Sequence, residues 1–460
     1  MLRKFFISFS LLLLAFICVN AAAEITVMGP GTIEYDKNAT WTVKNTQSGG
    51  EYRYYILDAN TYSMLAIENS SSNKFTYSFV TPGNYLLVVN YINGSTLLSK
   101  TIPISMKEDG QHLTVKQMAK SLVDTAKGKG CTGQYALSLW LHDWIINNSY
   151  YDETETYCSA QDILFRGKGV CNAYTSAYKM LLDAAGIENY VVSGAGHSWN
   201  AAKIDGVWCH IDVTWDDPLV SGKPAQTVTG REGHYYFGLD DETMLYDHVF
   251  SAGSIGKDAF KNNYFIRSGF VDTWLGKETN TSSILYKTKQ YVKKESPTFE
   301  ITVSESYMSP LGYTAKGSKQ IVYSVVAYAL STREWVFGDK EYICSVTYIN
   351  NRNVLSGSVS LFAPVCTVLP SALKEICDEA FSNNDLLEWV IIPAGAKSIG
   401  DRAFADCASL CRLDIPRSVT EIGEDILSGS VNVLIRCEKD SSAQRYAEAH
   451  DLPYQLTEFK

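Results

Sequence analysis

The sequence predicts a multidomain α+β protein: an N-terminal β-sandwich, a mixed α+β core and a C-terminal solenoid of short repeats. Three observations predict it. Residues 24–106 are cut by turn clusters into short alternating or β-branched runs. Residues 167–218 carry a helix signal and then a hairpin signal, with a cysteine, a histidine and an aspartate spread over them. Beyond residue 361 the same residue types return every 23 positions. A chain of 460 residues exceeds one comfortable hydrophobic core, which agrees with this division.

A targeting segment over residues 1–23 precedes these parts. Arg3 and Lys4 make a positive start, Phe5–Val19 is apolar, and Ala21-Ala22-Ala23 is a small-residue cleavage site before Glu24. The run is too short to span a membrane, and no later segment is apolar enough to do so. The mature protein is expected to be secreted or at the cell surface.

In residues 24–106, Thr40–Val43, Tyr52–Leu57, Phe75–Phe79 and Tyr85–Tyr91 read as strands. Ser48-Gly49-Gly50, Asn69–Asn73, Pro82-Gly83-Asn84 and Asn93-Gly94 punctuate them as turns. That spacing gives a sandwich of immunoglobulin-like size, a spacer or docking module without visible chemistry. Lys107–His112 is a polar linker. Thr114–Asn148 reads as helices, with Trp140, Trp144 and Ile145 on one apolar stripe that packs behind the next element.

That element is the heart of the sequence. Cys171 follows Gly167 and Gly169, and from Ala173 the residues Ala173, Tyr174, Ala177, Met180, Leu181 and Ala184 recur at helical spacing up to a stop at Gly186. Cys171 thus stands at a helix start, where partial positive charge favours thiolate and free N–H groups face a developing oxyanion. Val191–Ile204 and Val207–Trp215 then read as two strands joined by an Asp205-Gly206 turn. Opposed positions in that hairpin sum to 411, which sets Trp199 against Asp212 and His197 against Thr214. His197 and Asp212 become diagonal neighbours on one face, and Asp216 and Asp217 fall at the fraying, wetter strand end. A thiol, an imidazole and a carboxylate in this arrangement are nucleophile, base and orienter.

The motifs GKGVC, GHSWN and DVTWDDP, in this order and spacing, resemble the bacterial secreted branch of the transglutaminase-like superfamily. Tyr151-Asp152, Tyr236-Phe237 and Asp247-His248 resemble further pieces of it, and Asn172-Ala173-Tyr174 departs from its usual Gly-Tyr-Ala. The resemblance covers residues 114–290 well and runs more loosely to about 360. It implies a papain-like fold with a catalytic triad of Cys171, His197 and Asp212, acting on a protein or peptide substrate.

Other chemistry finds little support. A net charge of −10 without a basic run speaks against nucleic acid. No cofactor is expected, and no metal: Cys209 and His210 point to opposite faces of one strand, with no further ligand motif to complete a site. His234 and His248 read as structural. Of eleven cysteines, Cys18 leaves with the leader and Cys171 is the nucleophile, so nine remain. An odd number excludes a complete disulfide framework unless one thiol stays free or pairs between chains.

Residues 114–360 are expected to form the catalytic domain with a β-rich extension, in which Asn263–Phe270, Phe299–Ser304, Ile321–Ala329 and Glu341–Tyr348 read as strands. In residues 361–460, Pro370, Pro393 and Pro416 repeat, as do Ile376, Ile399 and Ile422, and the pairs Ala380-Phe381, Ala403-Phe404 and Ile426-Leu427. These resemble BspA-like leucine-rich repeats of bacterial surface proteins, with Ile435 to Leu452 as the cap. Such a resemblance implies a host or cell-surface protein ligand on the repeats. The expected function is a cysteine peptidase or amidase working through a Cys171 thioester. A cross-linking acyltransferase and a non-catalytic adhesin are the rivals.

Overall fold

The computed structural model describes residues 24–45, 49–217, 232–303, 316–338, 340–349, 352–431 and 433–459. The expected targeting segment over residues 1–23, Ser48, Pro218 and Ser304 lie outside them. Two compact units result: the described residues up to Trp335 with Cys344–Val359, and Val336–Ile343 with those from Ser360 onward.

The first unit begins with seven strands. β1 (Thr26–Met28), β2 (Asn38–Lys44) and β5 (Lys74–Ser78) form one sheet, and β4 (Met64–Ser70), β3 (Glu51–Asp58), β6 (Gly83–Asn93) and β7 (Thr96–Met106) the other. Alternation makes the core. Trp41 and Val43 of β2, Tyr54 and Ile56 of β3, Phe75 of β5 and Leu87 and Val89 of β6 all turn inward into one cluster. The linker is tied back, because His112 stacks on Tyr35 with centroids 3.6 Å apart and bonds Asp109.

Helix α1 (Val115–Gly128) starts with a capping box between Thr114 and Gln117. α2 (Gln134–Asn148) and α3 (Cys171–Ala185) pack with it against an antiparallel sheet of β10 (Asn189–Gly194), β11 (His197–Ile204), β12 (Val207–Ile211) and β13 (Phe237–Leu239). Between α2 and α3, β8 (Tyr150–Tyr151) pairs in parallel with β9 (Lys168–Gly169), just ahead of Cys171. A Cβ on Gly169 would stand 2.4 Å from that of Ala173, so only glycine lets this strand approach α3.

Several sequence expectations need correction. The predicted strand Val191–Ile204 is a hairpin of its own, because Ala195 and Gly196 take φ of 49° and 82° and reverse the chain. On α3, Tyr178 and Leu182 are buried and Ala184 is exposed, so the apolar face lies slightly off the expected one. The Asp205-Gly206 turn and the sum of 411 hold from Ile204↔Val207 to Asn200↔Ile211. There the predicted strand Val207–Trp215 stops. Asp212 leaves the sheet to cap α4 (Val213–Asp216), accepting the N–H groups of Thr214 and Trp215, so it never faces Trp199 across a ladder.

Asn263–Phe270 is likewise no strand: Asn263 caps a short helix, Tyr264–Arg267. Ile321–Ala329 lies within the helix Lys316–Ser331. Its β-branched residues suggested a strand, but Ile321, Val322, Val325 and Val326 are all buried, and burial of a helix on nearly every side favours such residues too. The strands Thr298–Thr302 and Lys340–Ile349 fall where expected.

In the second unit the repeat becomes a solenoid. Short parallel strands at Cys366–Val368, Trp389–Ile391, Arg412–Ile415, Leu434–Cys437 and Tyr454–Leu456 stack in order, and Glu375–Ile376, Ser398–Ile399 and Glu421–Ile422 form a second ladder. Rungs bond to the equivalent backbone one repeat on, as in Phe381 N–H to Ala403 O at 2.8 Å and Phe404 N–H to Ile426 O at 2.9 Å. The Phe pair stacks at 5.2 Å. Helix Ser442–Ala449 closes the end, burying Ala443 and Ala447. Phe404 is fully buried between repeats, so Phe404→Ala should cost about 3–5 kcal/mol of solenoid stability. Urea unfolding followed by circular dichroism checks this. A loss below 1 kcal/mol would mean that the stack does not hold the repeats together.

Candidate active site

Cys171 is the first residue of α3, and its helix start is left without a side-chain cap. The Thr175 hydroxyl bonds both Cys171 O and Ser198 O at 2.8 Å, locking the first turn of α3 to β11. His197 opens β11 immediately after the tight turn, which projects its ring toward the thiol. His197 Nε2 donates to Asp212 Oδ2 at 2.6 Å. The remaining ring nitrogen, Nδ1, is therefore the one left for Cys171. Burial opposes a thiolate at Cys171, but hydrogen bonding to His197 and to the Ser198 N–H and hydroxyl outweighs it and lowers the pKa. Buried thiols elsewhere behave oppositely: burial pushes Cys158, Cys209 and Cys344 up to about 12. The backbone N–H of Cys171 lies close enough to the Tyr151 hydroxyl to lower its pKa, against the larger upward push of burial.

Asp212 is fully buried and surrounded by donors. Oδ1 takes the N–H groups of Thr214 (2.9 Å) and Trp215 (3.2 Å), and Oδ2 takes His197 and also His248 Nε2 at 3.0 Å. Burial alone would neutralise this carboxylate. The hydrogen bonds from His197 and His248 instead hold its pKa down at about 2. In return, Asp212 and Cys171 overcome the burial of His197 and push its pKa up to about 9.

The structure thus brings Cys171, His197 and Asp212 together, by a route other than the extended hairpin. The transglutaminase-like superfamily matches residues 118–213. The middle of the chain is a transglutaminase-like domain. BspA-type leucine-rich repeats match residues 366–442 in six copies, over the solenoid. Among curated proteins the sequence finds no match. Among solved structures it is similar to domains d3-d4 of the rat CD45 extracellular region (17% identity, 18% of this chain and 47% of that one, TM-score 0.16). It is also similar to the sulfur carrier protein SoxY from Chlorobium limicola f thiosulfatophilum (17%, 18% and 73%, TM-score 0.14) and to FN3tt (11%, 19% and 90%, TM-score 0.15). The chain spans about half the length of the first of these, and TM-scores this low carry no inference.

The other acids of the transglutaminase-like domain have partners of their own. Asp216, expected to be wet, is buried: it accepts His142 Nε2 at 3.2 Å and the Tyr236 N–H. Asp217 accepts the Tyr174 hydroxyl, and burial pushes its pKa up to about 7. Tyr174 stands where the departure from Gly-Tyr-Ala falls, so that departure serves packing. His210, on the far side of Trp199, accepts the indole N–H at Nδ1 (3.1 Å) and donates from Nε2 to Asp241 (2.8 Å). Sequence reasoning missed His248 and His142. Only the Asp247-His248 pair gave any signal, and nothing in it pointed to Asp212.

Two groups, His142–Asp143–His234 and His197–Asp212–His248, bring potential metal-ligand atoms within 4.8 Å of one another. Their closest imidazole–carboxylate separations, 2.6–3.0 Å, are those of hydrogen bonds. Ligands around a tetrahedral zinc stand farther apart, about 3.3 Å, so protons account for both arrangements. All ten described cysteines are free thiols.

His142 faces Asp143 at Nδ1 (2.8 Å) and Asp216 at Nε2, with no exposure to solvent. Burial disfavours its charge, yet the two carboxylates push its pKa up to about 9. A raised imidazole pKa stabilises the fold fully below the unfolded value near 6.5 and loses that contribution as pH rises through about 9. The urea midpoint should therefore fall between these pH values. His142→Gln should reduce that slope, with His197 supplying the remainder, and destabilise the protein at pH 7 by about 3 kcal/mol, through loss of the cation that Asp143 and Asp216 share. An alkaline slope left unchanged by the substitution would show that His142 does not contribute to it.

Proposed function

We propose that the transglutaminase-like domain is a secreted or surface-exposed cysteine enzyme that cleaves peptide or amide bonds through a Cys171 thioester. The observation that carries the reading is a partly buried thiol at an uncapped helix start, next to an imidazole whose other nitrogen is bound to a buried carboxylate. The reading divides the mature chain into a strand-rich module over 24–106, a catalytic domain over 114–360 and the repeats over 361–460. Residues 1–23 act as its secretion signal, and the repeats hold a protein ligand at the surface.

His197 Nδ1 takes the thiol proton, and the thiolate forms a C–S bond to the substrate carbonyl carbon. The carbonyl oxygen, now an anion, is received by the Cys171 N–H at the uncapped start of α3. Collapse breaks the C–N bond, and the leaving amine receives the proton from His197. Asp212 fixes the imidazole tautomer and stabilises the imidazolium meanwhile. Water, deprotonated by His197, then attacks the thioester carbonyl; the C–S bond breaks, the carboxylic acid leaves, and His197 returns the proton to sulfur. The His197 side chain is 17% exposed, so water reaches the thioester, which favours hydrolysis over transfer to an amine.

Cys171→Ala should abolish turnover of small peptide amides and leave the thermal midpoint nearly unchanged. Asp212→Asn should lower kcat/KM by roughly 10³–10⁴-fold through the wrong imidazole tautomer. Asp216→Asn should act mainly on stability. Equal losses of activity at the two positions, measured on folded protein, would sink the assignment of Asp212. Turnover that yields amide conjugates in the presence of amines, with no free acid, would replace hydrolysis by cross-linking.

A further inference from the structure

His248 is buried and lies outside the triad, yet it shares the Asp212 Oδ2 atom with His197. Its other nitrogen, Nδ1, faces Asp247 Oδ1 at 2.7 Å, and Asp247 Oδ2 is held by the Tyr236 hydroxyl at 2.6 Å. The neighbouring His210 shows what a neutral ring needs here: an indole donor on one nitrogen and a carboxylate on the other. His248 has carboxylate acceptors on both nitrogens. A carboxylate has no proton to give, so both ring nitrogens must carry one, and the ring is a cation.

The surroundings hold that cation in place. Trp215 and Trp199 cover the ring, with centroids at 4.2 and 4.7 Å. At Gly194, which faces His197 across the β10–β11 turn, a Cβ would lie 1.6 Å from Val249 O, so glycine alone allows the loop after His248 to seat. The titratable groups facing His248 are Asp212, Asp247, His197, Tyr236 and, more distantly, His210.

We propose that His248 is a positioning residue: a charged imidazole on the far side of Asp212 that fixes the carboxylate and sets the proton affinity of His197. The proposal rests on the reading of Cys171, His197 and Asp212 as the catalytic triad. An uncompensated Asp212 would bind the His197 proton too tightly to release it to a leaving amine. The His248 charge offsets part of that pull while keeping Asp212 ionised and donor-bound.

The test is the pH dependence of Cys171 alkylation by iodoacetamide, mapped by mass spectrometry on the full mature chain. It has two inflections, one for formation of the thiolate–imidazolium pair and one for loss of the imidazolium proton. His248→Gln keeps a donor toward Asp212 but removes the charge. With ring centroids 5.5 Å apart, the alkaline inflection should rise by about one to two pH units and the acid one by less. Loss of a merely structural residue would instead narrow the window from both sides, and that result, or unchanged inflections, overturns the proposal. If the wild-type thiol shows no acid inflection, the triad reading fails instead. On the unmutated protein, nitrogen-15 spectra should show both His248 ring nitrogens protonated at pH 7, assigned through contacts with Trp199 and Trp215. A single neutral tautomer there would also overturn the proposal, even if the variant does not fold.

Discussion

The site depends on keeping one carboxylate ionised without water. Asp212 is fully buried, where a bare carboxylate would take up a proton rather than stay charged. Four donors prevent this: two backbone N–H groups at the start of α4, and two imidazoles. The position of β12's end, the short helix and the loop carrying His248 all follow from that requirement. Even the close approach permitted by Gly194 serves it, since a side chain there would push the His248 loop away from Asp212.

Four histidines of the first unit follow one rule, which is the partner each ring nitrogen meets. Two acceptor carboxylates make an imidazolium, as at His142 and His248. One carboxylate and one donor leave a neutral ring, as at His210. His197 is the intermediate case, with a carboxylate on one side and a thiol that can surrender its proton on the other. That intermediate partner set is what the proposed general base needs, and a structural ion pair of the same chemical parts lacks it. The His142–Asp216 pair is more deeply buried and longer, at 3.2 Å against 2.6 Å, and the other nitrogen of its ring meets the Asp143 carboxylate rather than a thiol.

Local signals were legible in the sequence where one short stretch decides the structure. The helix beginning at Cys171, the Asp205-Gly206 turn and the 23-residue period each follow from residues close together in the chain. What escaped was decided by competition or by distance. Asp212 was placed in a strand because its neighbours alternate, whereas its side chain is a better helix cap than a ladder member. Ile321–Ala329 carried strand-type residues because almost every side of its helix is covered. The Ala195-Gly196 turn stood in view but inside an otherwise continuous β pattern. His248 lies 36 residues beyond Asp212, and no periodicity links the two. Asp216 looked solvated because it stands near Pro218 at the expected strand end, while the partners that bury it come from α2 and from Tyr236.

Direct observation of the covalent intermediate tests the central claim best. The mature protein, mixed with a small peptide ester or activated amide and quenched in acid within milliseconds to seconds, should gain one acyl mass. Peptide mapping should place it on Cys171. The adduct should form orders of magnitude more slowly in Asp212→Asn and be absent in Cys171→Ala. An adduct on another residue, or acylation of Cys171 at an unchanged rate without the Asp212 carboxylate, would contradict a thioester mechanism built on this triad.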